Sequence, residues 1–158
     1  MAEAAVDREA LELARRKVLE LLSAAKSGGE QRACCSTPEA GGIIEARSLE
    51  ELTRAVRSCR VAVVFFDSPT CPYCRIFRPQ FYEAAQAYGD SAAFVRILVT
   101  DAPDAAAAFG VMGVPTVILF RRGEEVDRIV GLPAPGVFEA IVEELLSDEG
   151  CGAARRRG

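Results

Sequence analysis

The stretch running from Val61 through Cys74 constrains this chain most. Val61 to Phe66 is an unbroken apolar run, β-branched and aromatic, and too short to be a helix of its own. Such a run suits a central strand covered on both faces. Ser68 and Pro69 end it, and from Cys71 helix formers dominate as far as Tyr88 and Gly89. The strand therefore feeds a short loop and then a helix that opens at Cys71. Unpaired backbone N–H groups and the helix dipole favour negative charge at that place. A thiol there is most readily held as a thiolate. Cys74 follows three residues on, on the same helix face. Two thiols so placed can open and close a disulfide, and a Cys-x-x-Cys pair beside a βαβ pattern reads as a redox site.

The rest of the chain supplies that βαβ pattern. From Val6 to Lys26, residues Leu11, Ala14, Val18, Leu21, Leu22 and Ala25 recur at helical spacing. They predict a helix docked on its own domain, with a partner-binding or dimerising helix as the alternative. Gly28 to Gly42 has linker composition and carries the adjacent pair Cys34 and Cys35. Ile43 to Arg47 reads as a short strand. Ser48 with Glu51 forms a capping box opening a helix through about Cys59. Pro79 falls inside the helix that begins at Cys71 and should kink it. Ala93 to Val99 reads as a second buried strand, Asp104 to Gly110 as a short helix, and Thr116 to Phe120 as a third inner strand. Arg121, Arg122 and Gly123 turn the chain into a strand from Glu125 to Val130. Pro135 to Leu146 reads as the last helix. The fold class is α/β: a mixed sheet with helices on both faces, parallel at first and closed by an antiparallel hairpin. The expected organisation is an N-terminal helix and linker (1–42), one domain (43–148), and a flexible basic tail (149–158) carrying Cys151 and the solvated arginines Arg155, Arg156 and Arg157.

Composition narrows the function. A chain of 158 residues suits one domain with an extension. A net charge of -4 gives no support to nucleic-acid binding. No apolar run is long enough to span a membrane, and the charged N-terminus shows no secretory signal, so a cytoplasmic location is the default. The six cysteines come with no histidine, which removes His-based zinc sites and Cys-His nucleophiles. Cysteines in an intracellular chain point to catalysis or metal, with structural disulfides in hyperthermophiles as the exception. Cys34 and Cys35 stay open between ordinary linker thiols, a vicinal disulfide, a second redox pair feeding Cys71 and Cys74, metal ligation, and pairing with Cys59 or Cys151. Cys59 reads as a small buried apolar residue, and Cys151 as an exposed tail thiol. A four-cysteine metal site from Cys34, Cys35, Cys71 and Cys74 is disfavoured, because adjacent cysteines suit two ligands on one ion poorly.

With this element order, residues 43–148 resemble the thioredoxin family. The resemblance rests on Cys71-x-x-Cys74, on Pro79 five residues after the second cysteine, and on Gly113, Val114, Pro115 and Thr116, which look like that family's cis-proline loop at matching distance from Cys71. Phe120 to Gly123 is similar to its hairpin turn, and Gly131 to the glycine that lets a partner approach. The resemblance implies thiol–disulfide exchange on protein disulfide substrates, with Cys71 as nucleophile and Cys74 as resolving thiol. It implies a substrate groove shaped by Val114, Pro115 and Gly131, no cofactor of its own, and electrons from a flavoprotein like thioredoxin reductase. There are departures. Pro72 and Tyr73 between the cysteines are the glutaredoxin choice. Thr70 replaces the family's tryptophan, and Phe65 replaces the buried acid that helps deprotonate the second cysteine. Thr70, Phe65, Pro72 and Tyr73 should therefore tune the couple toward glutaredoxin's potential. Asp67 is a weak substitute base at the strand's end. No Gly-Gly-Asp-type glutathione site follows the proline; Gly131 is followed by Leu132. A redox-sensing or assembly module that uses the same pair without turnover, and a glutaredoxin-like activity, are the alternatives.

Overall fold

The computed structural model describes residues 10–18, 34–35 and 42–151. The remainder of the expected N-terminal helix, most of the linker and the tail from 152 onward lie outside the described residues. Helix α1 covers residues 10–18. It is followed by β1 (Ile44–Ala46), α2 (Leu49–Val56), β2 (Val61–Asp67), α3 (Pro72–Tyr88), β3 (Ala93–Leu98), α4 (Pro103–Ala108), β4 (Thr116–Arg121), β5 (Glu124–Val130) and α5 (Val137–Asp148).

The five strands form one sheet in the order β1-β3-β2-β4-β5. β2 lies at its centre, parallel to β3 with Val64 opposite Val95, and antiparallel to β4 with Val64 opposite Ile118. All seven residues of β2 are buried, as a continuous apolar run requires. Its side chains alternate between two cores. Ala62, Val64 and Phe66 join Leu52, Val56 and Phe109 on one face, where Val18 of α1 is also buried. Val61, Val63 and Phe65 join Phe77, Phe81 and Phe138 on the other, beneath α3 and α5. Each fully buried phenylalanine contributes about 1.5–3 kcal/mol over an exposed one.

Local chemistry sets the element ends. Ser48 caps α2 by accepting the Glu51 amide at 3.1 Å, and the Glu51 carboxylate accepts the Arg47 amide at 2.8 Å. Arg122 and Gly123 both have positive φ (52° and 85°), which gives the tight turn between β4 and β5 the twist a hairpin needs. The last helix starts at Val137 and not at Pro135, because Gly136 is left-handed at φ 85°.

Of the alternatives left open for Cys34 and Cys35, the structure takes pairing with Cys151 and Cys59, whereas the readings of Cys59 as an apolar filler and Cys151 as an exposed tail thiol are overturned. The four cysteines form two disulfides, Cys34–Cys151 and Cys35–Cys59. Cys35 bridges to Cys59 as a short antiparallel contact, and the Arg60 amide donates to the Cys34 carbonyl at 2.7 Å. Adjacent residues of an extended segment point to opposite faces, so Cys34 joins the α5 side and Cys35 the α2 side. This explains why the pair is neither vicinal nor a set of free linker thiols. Cys151 is not an exposed tail thiol; it is 5% exposed. It is ordered by a Schellman turn, in which Gly150 takes φ 71° and the Cys151 amide donates to the Leu146 carbonyl at 2.8 Å. Cys59 is likewise a disulfide partner and not a simple apolar filler.

Candidate active site

Cys71 is the N-cap of α3, and its sulfur accepts the Cys74 amide at 3.1 Å. Pro72 occupies the first helical position, where its missing N–H costs nothing. The Cys71 thiol also lies 3.6 Å from the Val114 carbonyl, to which it can donate. Cys71 is partly exposed and Cys74 fully buried, and both are free thiols. A cleft of about 430 Å³, lined by Thr70, Cys71, Pro72, Arg75 and Ile76, opens beside Cys71.

The loop bearing Val114 reaches Cys71 through a cis Val114–Pro115 bond. Thr116 Oγ1 donates to the Gly113 carbonyl at 2.7 Å, and the Gly131 amide to the Pro115 carbonyl at 2.8 Å. Gly131 has φ 89°, and no atom lies within 4 Å of where a Cβ would sit. Glycine serves the backbone conformation there, and the space beside it is open. Tyr73 (60% exposed), Met112 (95%) and Val130 (73%) leave apolar surface on the three segments that meet around Cys71.

Beneath the thiols, Phe65 packs edge-on against Phe77 at 5.0 Å and tilted against Phe81 at 5.1 Å. An aromatic cluster thus fills the position where the resembled family keeps an acid. Burial pushes the Cys74 pKa far above that of an ordinary thiol, and the neighbouring Cys71 and Asp67 add to the rise.

Asp67 is more than a residue at the strand's end: its side chain is wholly buried between two arginines. Arg78 donates from Nε to Oδ2 at 2.8 Å and from Nη2 to Oδ1 at 3.0 Å. Arg96 Nε donates to Oδ2 at 2.8 Å, and the Ser68 amide to Oδ1 at 2.7 Å. Burial alone would raise the Asp67 pKa, but these donors outweigh it and hold the carboxyl below its ordinary value. Sequence reasoning missed Arg78 and Arg96. The available signal was Arg96, a charge inside an otherwise apolar strand.

The two disulfides stand at the other end of β2. Cys59 and Arg60 precede that strand and Cys71 follows it, and the six steps from Val61 to Asp67 span about 20 Å. Cys34 and Cys35 are each committed to a separate bond there. They therefore cannot join Cys71 and Cys74 on one metal ion, nor hand electrons to that pair directly. Among the described residues no group of three or more Cys, His, Asp or Glu side chains could hold a metal ion.

Residues 44–144 match the family model described as Thioredoxin. The chain belongs to the thioredoxin family. It is 34% identical over 89 residues to the thioredoxin of Mycoplasma genitalium, covering 56% of this chain and 86% of that one. It is 35% identical over 93 residues to thioredoxin H4 of Arabidopsis thaliana, covering 59% and 78%. Among solved structures, a mutant thioredoxin from Halobacterium salinarum superposes with a TM-score of 0.63 at 28% identity, over 69% of this chain and 95% of that one. The mixed five-stranded sheet is the thioredoxin fold. Thioredoxins are thiol–disulfide oxidoreductases, and this chain is one of them.

Proposed function

We propose that this thioredoxin-family protein exchanges disulfides with protein substrates through Cys71 and Cys74. Cys71 attacks a substrate disulfide, forming a mixed disulfide and releasing one substrate thiolate. Cys74 then attacks the Cys71 sulfur; the Cys71–Cys74 bond forms, and the second substrate sulfur leaves and takes up the proton that Cys74 gives up. The observation that carries this reading is the asymmetry of the pair. Cys71 is accessible, caps a helix and sits against the Val114 carbonyl, whereas Cys74 is buried one turn on. An extended substrate segment fits along the Val114–Pro115 loop, with the open space beside Gly131 and the apolar surface of Tyr73, Met112 and Val130 around it. Thr70, Pro72, Tyr73 and Phe65 set the potential. A flavoprotein like thioredoxin reductase supplies the electrons.

Turnover is favoured over a sensor acting through the N-terminal helix. Val18 of α1 is buried on the sheet face opposite the one that holds Cys74, so such a sensor would have to signal across the sheet. Glutaredoxin-like use of glutathione is favoured only by the Pro72–Tyr73 dipeptide. The cytoplasmic placement carries a condition. Mesophile cytosol keeps thiols reduced, so a cytoplasmic chain with two structural disulfides fits the intracellular proteins of hyperthermophiles. No helix among the described residues is long and apolar enough to cross a membrane. Thiol trapping in fractionated cells tests the location.

The test of function is insulin disulfide reduction with dithiothreitol, comparing wild type with Cys71→Ser. Wild type should turn over and the variant should not. An inactive wild type with both thiols titratable would transfer the pair to sensing.

A further inference from the structure

The Asp67–Arg78–Arg96 cluster has no part in the exchange described above, yet Asp67 follows Phe65 by two residues on the sheet face that holds Cys74, and Arg78 follows Cys74 by four on α3. Asp67 is fully buried and receives four hydrogen bonds, from Ser68 N, Arg78 Nε and Nη2, and Arg96 Nε. An ionised carboxylate offers about four lone-pair sites, so none remains for the Cys74 proton. Asp67 is therefore an anion beside Cys74 and not its base. Arg78 stands one turn beyond Cys74 on α3. It is anchored by Asp67 and also by the Ser68 carbonyl at 3.1 Å, in the loop that leads to Cys71. Residues four apart on a helix share a face, so the Arg78 and Cys74 side chains lie on the same side of α3. The groups that bear on Cys74 include Cys71 on α3 and Asp67 on β2, which raise its pKa, and the Ser68 backbone, which lowers it. Cys74 belongs to the apolar cluster of Phe65, Phe77 and Phe81.

We propose that Asp67 and Arg78 are positioning residues acting on Cys74 in opposite senses, Asp67 keeping the resolving thiol protonated and Arg78 supporting its thiolate as it attacks. The proposal rests on the dithiol reading above and deepens it. The two together balance the protonation of Cys74 without the buried base that Phe65 replaces.

The experiment mixes reduced protein with dithiobis(nitrobenzoate). Cys71 attacks the reagent and releases one nitrothiolate; Cys74 then attacks the Cys71 sulfur and releases the second, leaving the Cys71–Cys74 disulfide. The first phase reports Cys71 and serves as the internal control. A wild type that releases only one nitrothiolate overturns the dithiol reading itself. With two phases present, Asp67→Asn is expected to move the pH profile of the second phase down by about one unit. One unit is tenfold in thiolate fraction, and the lower nucleophilicity of a more acidic thiol cuts the net gain to about threefold at neutral pH. A slower second phase would make Asp67 the base, and an unchanged one would make it merely structural; either overturns the proposal. Should Asp67→Asn not fold, Arg78→Gln decides. A second phase slowed about threefold, with its profile moved to higher pH, supports the proposal, and an unchanged or faster one overturns it.

Discussion

Replacing Cys35 and Cys59 together by serine removes one crosslink and leaves no odd thiol to rearrange. The Cys35–Cys59 bond closes 24 residues of sequence separation. In the chain-entropy description, closing such a loop lowers the entropy of the unfolded chain by roughly 11 to 12 cal/mol/K, about 3 kcal/mol at 25 °C. The surviving Cys34–Cys151 ring spans 117 residues and shortens the effective loop only slightly. The double variant should therefore lose about 3 kcal/mol, or about 6–12 °C in Tm for a chain of this size. Urea unfolding without reductant measures it, and m should rise a little because the freed unfolded chain exposes more surface. Stoichiometric insulin reduction by protein whose Cys71–Cys74 pair has been reduced and desalted should stay within about twofold of wild type, since the clasp lies about 20 Å from Cys71 along β2. A stability loss below about 1 kcal/mol with unchanged m would refute the entropic account. Lost activity in a folded variant would refute the separation of clasp and site.

Three further outcomes follow from the site. The Cys71–Cys74 couple should titrate nearer the glutaredoxin range of about -200 to -230 mV than thioredoxin's about -270 mV; a redox titration giving the lower value would contradict the roles assigned to Phe65, Pro72 and Tyr73. Asp67 is held below its ordinary pKa in the fold, so it contributes stability above the unfolded value of about 3.9 that is lost as pH falls through the folded one. Acid unfolding of Asp67→Asn should consequently show a shallower loss below about pH 4 than wild type. Cys74 is shifted upward by burial, so the folded reduced protein keeps a proton that the unfolded chain gives up near about pH 8.5. Its contribution is complete below that pH and fades above it, and the reduced form should lose stability relative to the oxidised form on alkaline titration followed by circular dichroism.

Local patterning was enough for much of this protein. The apolar run of β2, the helix opening at Cys71, the Ser48 cap and the Arg122–Gly123 turn are each written in a few neighbouring residues, because strand and helix periods and capping are short-range physics. The spacing of Cys71 and Cys74 was legible for the same reason, and Pro115 through the resemblance of Gly113 to Thr116 to the family's cis-proline loop. The α5 start was misread because Pro135 is compatible with a first helical turn, and the left-handed Gly136 that prevents it is set by the turn before the helix. What local pattern could not carry was pairing across the fold. Cys34 and Cys35 find partners 117 and 24 residues away only because an extended segment turns its adjacent side chains to opposite faces of the sheet. Asp67 looked marginal beside Phe65 in one dimension. Arg78 comes to it from a helix 11 residues on and Arg96 from a strand 29 residues on, and a buried charge gains its partners only when separate elements close around it. Sequence alone settled which thiols sit a helical turn apart. Tertiary structure decided which charges surround the second of them, because electrostatic neighbours are chosen by the packing of elements and not by their order in the chain.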